Sequence, residues 1–362
     1  MVPSHPHQPD LLPPREEVQP KLRLLTSAHH ALGELKGRMI IEDVINPQLV
    51  VAPLLTKEAV SSARIEGTRT TVEEVLRYEA QAEKEEDSDI LEVLNYRKAI
   101  YESVNFLQEK PLGEHLIRKL HQILLSSVRG KERNPGNYRR VAVHLGRPGS
   151  IWEDAEYIPP RPDEIPGLMK NWVEFVYLEE VDPLIAVGMG HYQFEAIHPF
   201  MDGNGRIGRL LIPLSLYQKE VLSYPYLYIS EFFEKNRSEY YDALRSVDRQ
   251  QDWTNWLNFF LKGVTETAQQ IQGKVLQIYR LYSEMKEILV EMNSQYAQLF
   301  LDTLFEQPII SNKEILKRLN QPSTQTVYNL IEKFEHQKII REITGKKRNK
   351  VYAFDRLLEV IK

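Results

Sequence analysis

The sequence predicts a mainly α-helical protein that carries one small β-hairpin and a separate C-terminal domain. Apolar residues recur at helical spacing through most of the first 260 residues, and only one stretch there alternates apolar with polar positions. After Gly263 the pattern changes character. A chain of 362 residues with 42% hydrophobic content has room for two or three domains, at roughly 100–200 residues each.

Composition and charge exclude several classes of function. A net charge of -5 argues against a molecule built as a whole to bind nucleic acid or anionic membranes, although a local basic patch remains open. The absence of cysteine excludes disulfides, thiol catalysis and thiolate metal sites, and it fits a reducing compartment. The sequence shows neither a signal-peptide pattern nor an apolar run of about eighteen residues, so a cytoplasmic protein is expected.

The N-terminal region predicts an arm followed by helices. Six prolines among the first 20 residues predict an extended segment that either drapes over the core or is disordered. Apolar spacing predicts a helix over 21–36. The acidic run at 79–89 is interpreted as solvated surface without a function.

Two helix starts follow from capping residues. Thr56 is a plausible N-cap for a helix from Lys57 to Glu66, which Gly67 would end. Thr70 with Glu73 three residues later forms a capping box that would open the next helix.

Helices and the hairpin come next. Helical spacing resumes over about 90–109 and 114–128. Alternating residues around Val141–Val143 return, after the turn signal Gly146-Arg-Pro-Gly, at Glu156–Ile158. These segments predict the β-hairpin.

The most informative stretch is HPFMDGNGRIGR, from His198 to Arg209. Asp182 and Pro183 are an N-cap and first-turn pair, and the helix that they start, to about Ala196, leads straight into this stretch. The proline after His198 must end that helix, and a new helix begins near Arg206 behind a Gly-rich loop. A flexible loop that faces the positive end of a helix is an arrangement that binds phosphate.

The charged residues of this stretch suit phosphate transfer. Arg206 and Arg209 lie three apart on one helical face and can both bind phosphate oxygens. Asp202 stands at the edge of the loop, where one carboxylate together with substrate phosphates commonly holds Mg²⁺. His198 is suited to accept a proton from an attacking hydroxyl. The sequence therefore predicts a site for phosphoryl or nucleotidyl transfer.

Other interpretations of the same letters are weaker. Residues 203–208 read G-x-G-x-x-G, but a dinucleotide-binding fold requires a strand before them and an acidic residue about twenty positions later, and both are missing. His191 and His198 are seven apart across a helix break, which does not suit a zinc pair, so His191 is interpreted as structural. Ile207 begins the buried stripe of the second helix, and Phe200 is expected to anchor the loop in the core.

Every fixed position of this stretch matches H-P-F-x-D/E-G-N-G-R-x-x-R, the signature of the Fic family of protein adenylyltransferases, and the chain resembles that family. The resemblance implies an all-helical fold with a small hairpin flap. It also implies transfer of AMP from Mg-ATP to a Ser, Thr or Tyr hydroxyl of a target protein, which the flap aligns by strand addition.

Residue roles follow from the resemblance. His198 would be the base, Asp202 the Mg²⁺ ligand, Arg206 the contact on the β-phosphate side and Arg209 the contact to the γ-phosphate. The implied catalytic set is His198, Asp202, Asn204, Arg206 and Arg209. The implied nucleotide contacts are Gly203, Asn204, Gly205, Arg206, Ile207, Gly208, Arg209, Tyr240, Tyr241 and Glu66. The adenine assignment is the weakest, because an asparagine common in the family after the tyrosine segment is not evident here, and adjacent tyrosines often serve only packing.

An upstream segment resembles the family's inhibitory motif, S/T-x-x-x-E-G/N. Ser62, Glu66 and Gly67 match it, and their position before the core is that of the subgroup with an N-terminal inhibitory helix. Ser62 and Glu66 share a helical face, and Glu66 could form a bidentate pair with Arg209. That pair would displace the γ-phosphate and restrain the enzyme.

The C-terminal third reads as a long helix followed by a small domain. Apolar residues repeat at alternating spacings of four and three through three heptads within 263–295, so this helix needs an apolar partner, either in its own chain or in a second copy. Residues 296–362 then show three helices and a hairpin in the order of a winged helix-turn-helix. The predicted regions are 1–110 (arm and inhibitory helix), 111–262 (catalytic core), 263–295 (linking helix) and 296–362.

The last of these regions suggests a second class of function. It carries twelve Lys and Arg against eight Asp and Glu, a net charge of +4, and its basic residues concentrate in the predicted wing at Lys346, Lys347, Arg348 and Lys350. Gln325, Tyr328 and Asn329 face outward on the third helix, but no arginine at its start suits guanine. A nucleotide-sensing DNA-binding regulator, a protein-contact domain, and an enzyme that removes AMP or transfers another phosphate-linked group are the alternatives.

Overall fold

The computed structural model describes residues 5–16, 18–41, 48–81, 85–126, 131–146, 151–320 and 322–362. It confirms the mainly helical prediction. The helices are α1 (Leu22–Ile41), α2 (Gln48–Ile65), α3 (Val72–Ala80), α4 (Ser88–Glu109), α5 (Glu114–Leu124), α6 (Ile165–Val176), α7 (Pro183–Ile197), α8 (Asn204–Gln218), α9 (Ser230–Lys235), α10 (Arg237–Gln250), α11 (Trp253–Met292), α12 (Ala297–Glu306), α13 (Asn312–Arg318), α14 (Thr324–His336) and α15 (Asp355–Ile361). The strands are β1 (Ile309–Ser311), β2 (Arg341–Glu342) and β3 (Val351–Ala353).

The chain divides into two compact units. Unit 1 comprises Met1–Gly33, Ile65–Gly67 and Asn95–Ala268, and unit 2 comprises Glu34–Arg64, Thr68–Leu94 and Gln269–Lys362. Within the described ranges, no helix has both the length and the apolar content needed to cross a bilayer.

Helix α7 forms the centre of unit 1, and it packs against α6 and α8. It is hydrophobic on all sides, which is typical of a helix buried in a core. The indole N–H groups of Trp172 and Trp256 donate to the carbonyls of Gly190 and Gly188, at 2.7 and 2.8 Å. A Cβ atom at position 188 would lie 2.9 Å from a methyl of Leu257, so glycine permits the close approach of α11.

The N-terminal arm lies on unit 1, which is the first of its two predicted alternatives. The His7 N–H donates to the Ile158 carbonyl at 2.8 Å. Asn171 accepts a bond from the Leu12 N–H and donates one to the Leu12 carbonyl, both at 2.9 Å. Leu12 is buried as a result.

Helix α2 begins nine residues before the predicted start at Lys57, so the prediction that Thr56 is an N-cap is wrong. Thr56 lies inside the helix, and its hydroxyl donates to the carbonyl four residues earlier. The apolar run 49–55 is largely buried, and this burial outweighs the one helical hydrogen bond that Pro53 removes. Gly67 has φ +99° and ends the helix as predicted.

The capping box of α3 is formed by Thr71 and Glu74 rather than by the predicted Thr70 and Glu73. The Thr70 carbonyl accepts a hydrogen bond from Arg64 Nε at 3.1 Å, and its side chain is buried. Thr70 therefore belongs to the preceding turn, and the N-cap falls one residue later.

In the described structure, the predicted hairpin is reduced to one antiparallel bridge between Leu145 and Tyr157. The Leu145 N–H donates to the Tyr157 carbonyl at 2.8 Å. No strand forms at Val141–Val143 in the described structure, and residues 147–150 of the predicted turn lie outside it. The stretch before the bridge pairs elsewhere, because the Arg139 N–H donates to the Pro199 carbonyl at 2.9 Å.

In unit 2, the predicted heptad stripe of α11 is buried within the chain, so packing in its own chain accounts for the pattern. The helix itself begins ten residues earlier than predicted. The buried stripe consists of Ile271, Val275, Ile278, Tyr282, Met285, Leu289 and Met292.

The C-terminal sheet has the order β1-β3-β2, with both pairs antiparallel. Helix α3 packs against β1 and completes the core of this sheet, although more than 200 positions separate the two in sequence. The shared core consists of Leu76, Ala80, Ile309, Val351, Ala353 and Leu358.

Candidate active site

The catalytic candidate His198 lies where α7 ends. Asp182 caps the start of α7 by accepting the Leu184 N–H at 2.9 Å, as predicted. At the other end, His198 has φ +47° and ψ 60°, a left-handed conformation that a non-glycine residue rarely adopts. This conformation ends α7 and turns the chain sharply into the motif loop.

The motif loop is held from inside by Phe200 and Asn204. Phe200 is fully buried and stacks on His121, with ring centroids 3.8 Å apart. The Asn204 side chain accepts the Phe200 N–H at 2.8 Å and donates to the Phe200 carbonyl at 2.9 Å. This side-chain amide closes the loop, and the predicted contact of Asn204 with phosphate stays a prediction.

His121 supports the same loop and was missed by sequence reasoning. The Gly136 N–H donates to its Nδ1 at 2.8 Å, so Nε2 carries the proton and donates to the Asp202 carbonyl at 2.9 Å. Burial lowers the pKa of His121 to about 4, which keeps this tautomer neutral.

A cationic helix N-terminus follows the loop. Gly203 has φ +78° and precedes the first turn of α8. Asp202 Oδ1 accepts the Gly203 N–H at 2.6 Å and lies 3.3 Å from Arg206 Nη2. Unpaired N–H groups of a first helical turn attract phosphate, and the buried Arg206 adds positive charge beside them.

The Asp202 carboxylate fits Mg²⁺ that enters with a nucleotide. Its side chain is 41% exposed at the loop edge, and carboxylate oxygen is a ligand that Mg²⁺ prefers. In the described ranges, no three His, Asp or Glu side chains gather into a metal cluster.

Glu66 reaches Arg209 from the end of α2. The Glu66 Oε1 and Arg209 Nη2 atoms are 2.6 Å apart, and the Arg209 side chain is 1% exposed. Burial raises the pKa of the Glu66 carboxyl, but the Arg209 guanidinium outweighs this effect, so the pKa lies below its ordinary value. The pair is therefore fully ionised at neutral pH.

Gly205 makes room for this ion pair. A Cβ atom at that position would overlap the Glu66 carboxylate and would lie 2.9 Å from Arg209 Nη1. The glycine of the motif thus permits the approach of Glu66, and its predicted contact with phosphate stays a prediction.

A second carboxyl group, from Glu195, stands near Arg209. Its Oε1 is buried and has no hydrogen-bond partner among the described residues, and a Cβ atom at Gly208 would overlap it. Burial raises the pKa of Glu195 to about 7, against the opposing effect of Arg209. Arg209 therefore pairs with one carboxyl group and acts electrostatically on a second, an arrangement that no sequence signal indicated.

Arg139 connects the segment around the Leu145–Tyr157 bridge to His198. Sequence reasoning did not identify this residue. Its guanidinium donates to the carbonyls of His198 at 2.8 Å, Pro160 at 2.5 Å and Val141 at 3.3 Å. Burial lowers the pKa of Arg139 to about 10, so it remains charged at neutral pH. The Arg139 guanidinium therefore binds one backbone carbonyl at the end of α7, that of His198, and one on each side of the Leu145–Tyr157 bridge, those of Val141 and Pro160.

The His198 imidazole is neutral at physiological pH. Burial and then the nearby Arg139 charge lower its pKa to about 4, against the opposing effects of Glu66 and Asp202. A neutral imidazole has a free lone pair and can accept a proton.

The remaining predicted residues are mostly buried in the core. His191 is structural as predicted, since it bonds to the Gly208 carbonyl at 3.1 Å and to the Tyr240 hydroxyl at 2.9 Å. Tyr240 and Ile207 are buried in the core. Tyr241 is partly exposed, which makes it the more accessible of the two tyrosines, and its adenine contact stays a prediction.

Comparisons with known proteins agree with this geometry. The Fic/DOC family N-terminal model matches residues 22–105, and the Fic/DOC family model matches residues 111–216. Together the two matches cover slightly more than half of the chain and include the whole His198–Arg209 motif.

The chain belongs to the Fic/DOC family.

Relatives of this Fic protein carry names that agree with the predicted enzyme class. It is 22% identical to a probable protein adenylyltransferase of Aquifex aeolicus over 309 residues, which cover 78% of this chain and 88% of the relative. It is 30% identical to the protein adenylyltransferase Fic of Drosophila willistoni over 148 residues, 40% of this chain. The match spans only 26% of that fly protein.

Solved Fic structures share its fold. A Fic family protein from Desulfovibrio desulfuricans aligns with a TM-score of 0.59 and 22% identity, over 94% of this chain and 98% of that one. A Fic domain-containing signalling protein from Bacteroides thetaiotaomicron aligns with a TM-score of 0.53 and 20% identity, over 69% of this chain and 97% of that one. At these identities the similarity concerns the fold.

Proposed function

We propose that this Fic protein transfers AMP from Mg-ATP to a Ser, Thr or Tyr hydroxyl of a protein, and that Glu66 restrains it by pairing with Arg209. One observation carries the proposal. A neutral imidazole, an exposed carboxylate and a cationic helix N-terminus stand together in the twelve residues from His198 to Arg209. The names of the relatives point to the same reaction.

The transfer needs one base and a fixed phosphate chain. His198 accepts the proton of the target hydroxyl while that oxygen forms a bond to the α-phosphorus of ATP. The bond from the α-phosphorus to the bridging oxygen breaks, and pyrophosphate leaves. Asp202 would hold Mg²⁺, which would supply neutralising charge to the phosphates when bound, while Arg206 and Arg209 orient the phosphate oxygens.

Restraint follows from the position of Arg209. While its guanidinium is paired with Glu66, it is not available to the γ-phosphate, and the α-phosphorus is not held in line with the incoming oxygen. Because the pKa of Glu66 is lowered, mild acidification leaves the pair ionised, and release requires a movement of the end of α2.

The position of a radioactive label tests the reaction type. With the Glu66→Gly chain and a protein lysate, we expect label from ATP carried on the α-phosphate to remain on protein, and label on the γ-phosphate to leave with pyrophosphate. Protein labelled from the γ-phosphate instead would establish phosphorylation. Loss of AMP from labelled protein without new labelling would favour AMP removal, the second candidate.

The pH dependence of the transfer rate is expected to change when the positive charge of Arg139 is removed. In the Glu66→Gly chain, transfer should fall on the acid side only near or below pH 4, because the pKa of His198 is about 4 with Glu66 present and the Glu66 carboxylate raises it. Arg139→Gln removes a cation that lowers this pKa, so the acid limb should move to higher pH. Initial rates between pH 4 and 8 measure the limb.

Arg139→Lys is the matched control, since it keeps the charge but cannot reproduce the fork of carbonyl contacts. In the Arg139→Lys variant, we expect the transfer rate to be lower than in the Glu66→Gly chain. The pH at which the rate falls on the acid side should stay nearly the same. Acid limbs that coincide in all three chains would show that Arg139 only supports the fold.

A further inference from the structure

The C-terminal part of unit 2 presents a helix-turn-helix. Helices α13 and α14 are joined by residues 319–323 and are flanked by β1 and by the β2–β3 hairpin. The Ser311 hydroxyl caps α13 by accepting the Glu314 N–H at 3.3 Å, and the Ser323 hydroxyl caps α14 by accepting the Thr326 N–H at 3.1 Å. This order of elements is that of winged helix-turn-helix domains, in which the second helix enters the major groove.

The solvent face of α14 is uncharged in its first half. Gln325, Tyr328 and Asn329 are exposed there, and Gln325 Nε2 donates to Asn329 Oδ1 at 2.7 Å. The carboxylates of α14, Glu332 and Glu335, lie in its second half. Side-chain amides can bind the adenine edge through two hydrogen bonds, so this half-face suits contact with bases.

The loop between β2 and β3 supplies the positive charge. Lys346, Lys347 and Arg348 are exposed, and none of them forms a salt bridge with a described residue. The adjacent Glu342 carboxylate is used within the loop, where it accepts the N–H groups of Thr344 at 2.7 Å and Gly345 at 3.0 Å. Among the described residues, the three cations are therefore left without an ion pair.

We infer that this domain binds double-stranded DNA, with α14 in the major groove and the loop 345–350, the wing, against the phosphate backbone. Charge complementarity supports this occupant, because residues 296–362 carry a net charge of +4 while the rest of the chain carries -9. Duplex RNA fits less well, since its deep and narrow major groove does not admit a helix. The inference does not depend on the proposed transferase activity.

The test uses the whole chain, because α3 completes the core of the sheet that carries the wing. Fluorescence anisotropy with a labelled duplex of mixed sequence measures affinity over a range of salt concentrations. The triple variant Lys346→Ala, Lys347→Ala, Arg348→Ala should bind at least about tenfold more weakly. Its salt slope should fall by about three, since each lost phosphate contact contributes about 0.9.

A matched control removes three exposed cations from unit 1. Lys98, Arg161 and Lys170 are 59%, 60% and 75% exposed, and their replacement by alanine changes the net charge equally. The control should keep the wild-type salt slope. Equal slopes in the wing variant and the control, no duplex binding by the wild type at low salt, or equal binding of duplex RNA would each overturn the inference.

Base contact by α14 has a separate readout. Selection of bound duplexes from a random pool should enrich a sequence for the wild-type chain, and the variant Gln325→Ala, Asn329→Ala should lose that enrichment while keeping the salt slope. Both side chains are exposed, so the midpoint of thermal unfolding should not change. Identical enrichment by both chains would contradict the placement of α14 in the groove.

Discussion

Replacing Glu66 by glycine is expected to raise the initial rate of AMP transfer to protein by about tenfold to a thousandfold at saturating Mg-ATP. The contact that is lost joins Glu66 to an arginine that is 1% exposed and therefore has no solvent-exposed alternative position. Once freed, Arg209 can orient the γ-phosphate. Because misplacement of the reacting atoms costs powers of ten, restoring their alignment gives the large gain.

Two further variants distinguish the loss of the Glu66–Arg209 ion pair from the effect of glycine on the backbone. Glu66→Gln keeps the length of the side chain and removes its charge, so it should activate nearly as well. Glu66→Asp keeps the charge on a shorter side chain, so it should activate partially. If the transfer rate of the glycine variant equals that of the wild type while ATP binding is intact, the proposed restraint is wrong.

His198→Ala, introduced into the activated Glu66→Gly chain, is expected to lower the transfer rate by about 10² to 10⁴. The variant removes the group proposed to accept the proton of the target hydroxyl. It leaves the phosphate contacts in place, because Asp202 and Arg206 hold each other independently of the imidazole. The affinity for Mg-ATP, measured by calorimetry, should therefore change little.

The conservative variant His198→Gln distinguishes proton transfer from loop geometry. Glutamine fills a similar space and cannot act as a base, so it should be as inactive as alanine. Recovery of more than about a tenth of the parent rate by either variant would show that another group, such as Glu195, accepts the proton.

Local features of this fold were predictable from short-range patterns. Asp182 with its following proline, Gly67 at a helix end and the heptad stripe of α11 each encode a structure within a few turns of chain. The errors were local as well. Thr56 resembled an N-cap by its residue type, but burial of the surrounding apolar run carries the helix through Pro53 and past Thr56.

The support of the site was not predictable. Arg139, His121 and Glu195 act on residues of the motif loop or on Arg209 from positions that carry no motif. Their roles depend on burial, because a surface arginine or glutamate of the same type would be solvated and would leave the pKa of His198 unaltered.

The sequence by itself determined which residues are proposed to react, since the order His198, Asp202, Arg206 and Arg209 places them on one short loop and the first turns of the helix that follows it. Only the tertiary structure decided their electrostatic state. It brings Glu66 into contact with Arg209, which lies 143 positions away in the sequence, and it places Arg139 in a hydrogen bond with the His198 carbonyl. Coulombic interactions depend on distance in space and on exposure to water, and neither quantity is contained in a local pattern of residues.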